Sequence, residues 1–247
     1  MIRLQACLAS LSCVSLLGCA PTFGTLRPQH PLSRGETGQG IVGSTSVWLP
    51  MLDSALPNDD EPTRQGRARL AAAAGSAIGD RPIVVGGERF RFDCSGVARG
   101  IYAKAGFRLG HVEAPGQAND SHVLFELVRR SGSLRRSNPL AGDLVFFDNT
   151  WDQNDNGLED DAISHVGVVE NVDDDGTVVF VHRVGRRIVR YRMNLTHRSE
   201  RYDGQGRPVN HYLRAASGGR PARTTAELFV AFGSLPLTSP ERLLAAR

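Results

Sequence analysis

The stretch Phe92-Asp93-Cys94-Ser95-Gly96 decides how this chain is read. Val97, Ile101 and Ala105 follow it at helical spacing, and Gly106 stops the run, so a helix starts at or beside Cys94. Asp93 is suited to cap that helix, and Gly96 leaves space near the thiol. A cysteine at a helix N-terminus faces unpaired backbone N–H groups, which stabilise a thiolate and can hold an oxyanion. Such placement, with a histidine nearby, brings a thiol pKa from about 8.5 into the range of roughly 3.5–7.5. By itself the spacing also fits a cysteine that merely packs.

Working outward, alanines dominate from Arg67 to Ile78 and Gly79 follows, which predicts a helix with a glycine stop. A glycine turn at Gly86-Gly87 leads into the cysteine block, and His122–Arg130 reads as a third helix. After Pro139 the character changes. Asp143–Phe147, His165–Glu170, Thr177–His182 and Arg187–Met193 are short runs rich in Val, Ile and Phe, separated by turn signals such as Asp173-Asp174-Asp175-Gly176. A last strand is expected at His211–Arg214, and a helix at Thr225–Phe232 in a C-terminal tail from residue 217 to 247. Helices first and antiparallel strands later make an α+β arrangement, with the domain expected over 67–216.

The 247 residues are 40% hydrophobic and 22% charged, enough for one sizeable core. The formal net charge of +3, without a basic run, argues against nucleic acid as a partner. At the N-terminus Arg3 precedes a mostly apolar run, Leu4 to Leu17, that closes with Leu16-Leu17-Gly18-Cys19. The run is too short to span a bilayer comfortably. It resembles the lipobox of bacterial lipoproteins, which implies cleavage after residue 18 and a diacylglycerol on Cys19. An ordinary signal peptide cut near Ala20, or an uncleaved anchor, is the alternative. The resemblance implies a lipid anchor in the cell envelope, on the outer membrane facing the periplasm in a Gram-negative host. Residues 19–66, rich in Gly, Pro, Ser and Thr towards the start, read as a tether. Cys7 and Cys13 would leave with the signal peptide, so Cys94 would be the one thiol remaining.

A cysteine peptidase needs an imidazole within reach of its thiol and a group to orient that imidazole. His165 opens one apolar strand and His182 closes the next, after Val178-Val179-Phe180-Val181. Each alone reads as a strand-end surface residue. Paired antiparallel strands, however, would bring both rings to the sheet end that faces the helix. Pro82 to Gly87, Phe92 to Gly96, Ala141 to Phe147, Ser164 to Val169 and Phe180 to His182 then fall in the order seen in NlpC-type cell-wall cysteine peptidases, and the resemblance covers about Arg67 to Arg214. It implies a papain-like α+β fold, with N-terminal helices on an antiparallel sheet, and hydrolysis of peptidoglycan stem peptides at a D-glutamyl–diamino-acid bond. By the same resemblance Cys94 is the nucleophile, His165 the base and His182 the residue orienting it, while Asp93 and Ser95 flank the nucleophile where substrate binds. Two alternatives stand beside this: a Cys–His-dependent amidase of the same fold group, and a wall-binding module without catalysis. Ile83 departs from the family, which commonly has a tyrosine there near the oxyanion.

The stretch from Asp148 to Ile163 is longer than the usual connection. Within it Asp152, Asn154 and Asn156, then Gly157, the Leu158 carbonyl and Asp160, match the oxygen spacing of a calcium loop. The twelfth position is Ile163, so the usual bidentate glutamate is missing. A solvated acidic loop is the competing reading. No cofactor is required by the mechanism, and calcium would be structural; oligomeric state is left open.

Overall fold

The computed structural model describes residues 59–113 and 119–237. The signal peptide, Cys19 and most of the tether lie outside these residues. Helix α1 runs Glu61–Ser76, α2 Cys94–Lys104 and α3 Asp120–Ser131. Strands follow as β1 (Val84–Val85), β2 (Glu88–Arg89), β3 (Ser133–Arg135), β4 (Leu144–Phe147), β5 (His165–Val172), β6 (Val178–Val184), β7 (Arg187–Met193), β8 (Tyr212–Arg214), β9 (Arg223–Thr224) and β10 (Phe229–Ser234). This is the expected α+β architecture. Helix α1 begins earlier than the alanine run, because Asp60 caps it by accepting the Thr63 N–H at 2.9 Å and Pro62 occupies its first turn.

The main sheet has six antiparallel strands in the order β3-β10-β4-β5-β6-β7. Both of its faces are covered, which explains why its strands read as continuous apolar runs. In β4, Leu144 and Phe146 join the cluster formed with Leu70, Val97, Ile101 and Phe125 of the helices. Val145 and Phe147 point the other way, to Phe180, Met193, Leu228 and Phe232. Among the described residues no helix is long and apolar enough to cross a membrane.

The expected helix at Thr225–Phe232 is instead a turn over 225–228 followed by strand β10, and it is not in a tail. Strand β10 lies between β3 and β4 in the middle of the sheet's first half, with Phe232 opposite Val145 and Arg135. A strand buried on both faces has no period of two, so Leu228-Phe229-Val230-Ala231-Phe232 looks the same as a buried helical segment. The boundary expected at 216 therefore moves: the chain through Ser234 completes the sheet. The tie at that edge is polar as well, with Ser234 Oγ donating to Asp143 at 2.5 Å while Asp143 pairs with Arg67 and Arg135.

Candidate active site

Helix α2 presents Cys94 at its first turn because Asp93 holds that turn shut. The Asp93 carboxylate accepts the Gly96 N–H at 2.7 Å and the Ser95 hydroxyl at 2.8 Å, and its other oxygen pairs with Arg91 at 2.9 Å. These are N-cap interactions, typically worth about 1 kcal/mol. Ser95 is 3% exposed and its hydroxyl is committed to Asp93. The two residues expected to bind substrate thus build the cap of the helix that starts at Cys94. Gly96 is required for a different reason than room at the thiol: a Cβ there would lie 2.2 Å from the Arg91 carbonyl, which packs across the helix start.

The two histidines meet as expected, although His182 does not close its strand: β6 runs on to Val184. His165 Nε2 and His182 Nδ1 are 2.8 Å apart, with the rings nearly perpendicular. Gly167 makes room for this meeting, since a Cβ on it would sit 2.8 Å from Phe180 and 3.3 Å from the His182 Cβ. His182 is fully buried, whereas His165 is partly so. Burial, with some repulsion from Arg183, pushes His165 down to about 4. Burial, then His165 and His211, holds His182 well below the usual histidine range. Both rings are therefore neutral near pH 7.

The thiol differs from expectation in two respects. Its hydrogen-bond partner is Ser121 Oγ at 3.2 Å, rather than an imidazole. Burial pushes it up from its ordinary value, and hydrogen bonds from Ser121 and from the Val166 and Ser95 backbone offset this only in part. Desolvation outweighs the helix N-terminus here, because taking a thiolate from water costs more than a few partial charges return. The contact with Val166 also places the sulfur beside the first residues of β5, next to His165. With His165 Nε2 engaged by His182, Nδ1 is the ring nitrogen that this contact leaves free of His182. At rest the Cys94 thiol and the His165 imidazole are consequently both neutral.

Ser121 was not foreseen from sequence. It is 2% exposed, in the first turn of α3, whose cap is Asn119 accepting the His122 N–H at 2.9 Å. Asn119 also donates to Gln153 at 2.7 Å, so the long 148–163 segment touches the α3 start. The same segment is joined to the base of His165: Ser164 Oγ lies 2.8 Å from the Thr150 hydroxyl and accepts the Thr150 N–H at 2.9 Å. Ile163, just before, holds φ 47°, a left-handed conformation costly for a β-branched residue. Asp148 secures it by accepting the Ile163 N–H at 2.6 Å.

The acidic loop folds on its own hydrogen bonds. Asp152 accepts the Gly157 N–H at 2.8 Å and the Asn156 N–H at 3.1 Å, Asn154 accepts the Asn156 N–H at 3.1 Å, and Asn156 accepts the Leu158 N–H at 2.8 Å while donating to Asp160. Among the described residues no three His, Cys, Asp or Glu side chains converge to hold a metal. A cavity of about 270 Å³, bordered by Trp151, Asp152, Leu158, Asp161, Arg214 and Arg220, opens on this loop; none of Cys94, His165 or His182 lines it.

Residues 85–183 match the CHAP domain. The matched span contains Cys94, His165 and His182, and with the helix-on-sheet architecture it bears out the papain-like fold and the resemblance to cell-wall peptidases of that type. A lipoprotein-like protein of the NLP/P60 family from Staphylococcus aureus is similar in structure, with 21% sequence identity and a TM-score of 0.31. The likeness covers 58% of this chain and 40% of that one, so the chain spans less than half its length. Comparison with curated proteins finds no match. The CHAP match ends just after His182, so β7 and β10, which close the sheet, lie beyond it.

Proposed function

We propose that this chain is a cysteine-dependent peptidoglycan hydrolase of the cell envelope, cutting stem peptides, with Cys94 as nucleophile, His165 as base and His182 orienting it. The observation that carries the reading is the 2.8 Å contact between His165 Nε2 and His182 Nδ1 beside the helix that starts at Cys94. With both partners neutral at rest, proton transfer accompanies attack. His165 Nδ1 takes the thiol proton as sulfur bonds to the scissile carbonyl carbon. Backbone N–H groups at the start of α2 hold the oxyanion, with the Gly96 N–H excluded because Asp93 already uses it. Protonated His165 then gives its proton to the leaving amine, and water hydrolyses the thioester by the same route in reverse. No step needs a metal. Cys19 would carry the lipid that keeps the enzyme at the membrane.

The CHAP match supports a second reading of the same machinery, an amidase cutting between sugar and peptide. Digestion of purified sacculi, with mass spectrometry of the soluble products, separates the two. Peptide fragments ending at D-glutamate support the peptidase, and intact stem peptides freed from glycan support the amidase. Sacculi left whole by the wild-type protein, at a level equal to a Cys94→Ala control, would sink both.

A further inference from the structure

The His165–His182 contact leaves a choice of tautomers, and only one of them can catalyse. Two neutral rings share a single proton across the 2.8 Å between His165 Nε2 and His182 Nδ1. If His165 donates it, His165 Nδ1 keeps a lone pair for the thiol, and the proton of His182 sits on Nε2. If His182 donates it, the proton of His165 sits on Nδ1, and no base faces Cys94. What surrounds His182 Nε2 therefore decides which state is populated.

That nitrogen is buried and has no nitrogen or oxygen partner. Besides His165, two rings pack on His182: Tyr191 of β7, with centroids 4.4 Å apart and planes at 65°, and, farther off, Phe180 at 4.9 Å and 42°. An aromatic face carries negative charge: it accepts an N–H and repels a lone pair. Tyr191 is itself held by a second ring. His211 stacks on it at 4.4 Å and 14°, and His211 Nδ1 accepts the Arg192 N–H at 3.0 Å. We propose that Tyr191 is a positioning residue for the reaction: its ring face receives the Nε2–H of His182, so that His165 donates to His182 and offers Nδ1 to Cys94. The inference rests on the proposed Cys-His-His machinery, and it places a control of the base on β7, two residues from the register partner of His182, Val189.

The test uses the full chain in two measurements. Nitrogen-15 NMR of the histidine rings, without substrate, reads the tautomers directly: His182 should be protonated on Nε2 and His165 on Nε2. Tyr191→Phe keeps the face and should retain both the tautomers and wild-type kcat. Tyr191→Leu removes the face; the competing tautomer should then appear, and kcat should fall roughly two- to fivefold with KM little changed. A wild-type protein with His182 protonated on Nδ1 would overturn the inference even if every variant failed to fold. So would a folded Tyr191→Leu protein with unchanged tautomers and kcat. Because the spectra need no turnover, the inference and the proposed hydrolysis fail separately.

Discussion

Replacing Asp148 by asparagine should remove a pH dependence built into the loop that delivers His165. Asp148 is 8% exposed, and burial raises its carboxyl from 3.8 to about 6, the Ile163 N–H and Arg136 opposing only in part. A carboxyl raised in the folded state binds its proton more tightly there than in the unfolded chain. Its contribution is fully favourable below 3.8 and is lost as pH rises through about 6. At about 1.4 kcal/mol per pH unit, the whole interval corresponds to about 3 kcal/mol, of which about 2.5 kcal/mol falls between pH 4 and pH 8. Asparagine cannot titrate, yet its Oδ1 can still accept the Ile163 N–H and keep that residue in its left-handed conformation. The variant should therefore gain about 2.5 kcal/mol relative to wild type between pH 4 and pH 8, read from urea unfolding at both values. Comparing the two proteins cancels every other titrating group. A difference between them that stays constant with pH would refute the reasoning, because Asp148 would then titrate alike in both states.

Cys94→Ala should abolish hydrolysis without unfolding the chain, and iodoacetamide should alkylate the wild-type thiol more slowly than free cysteine at pH 7; faster alkylation would mean a resting ion pair. His165→Ala should cost nearly as much activity as Cys94→Ala, whereas His182→Ala should leave measurable turnover, since water can partly replace an orienting group. Ser121→Ala removes the hydroxyl 3.2 Å from the sulfur, so the pH midpoint of alkylation should move upward and kcat should fall several-fold; an unmoved midpoint would make Ser121 a packing residue. Hydrolysis should survive EDTA in full, while about ten millimolar calcium should raise the melting temperature by a few degrees through Asp152, Asn154, Asn156, Leu158 and Asp160. Lost activity after chelation would overturn the metal-free mechanism, and no thermal shift would leave the loop as a solvated turn.

What could be read from the sequence was local. Asp93 before Cys94 and the apolar spacing after it are contained in one helix, and β-branched runs between turns mark β4 to β7 directly. Burial on both faces erased the period of β10, although its place beside β4 completes the sheet. The site divides along the same line. His165 and His182 were legible because His165 opens a recognisable strand and His182 follows the apolar run of the next, although that strand continues to Val184. Ser121 and Tyr191 carry no such mark; α3 and β7 become neighbours of the site only through packing. The thiol shows why this matters for chemistry. A helix start favours a thiolate, but that rule takes solvent as given, and enclosure reverses its outcome. The same enclosure keeps both imidazoles neutral, so the position of one proton between them becomes decisive. A residue that touches neither thiol nor substrate, Tyr191, can then control reactivity through that proton alone.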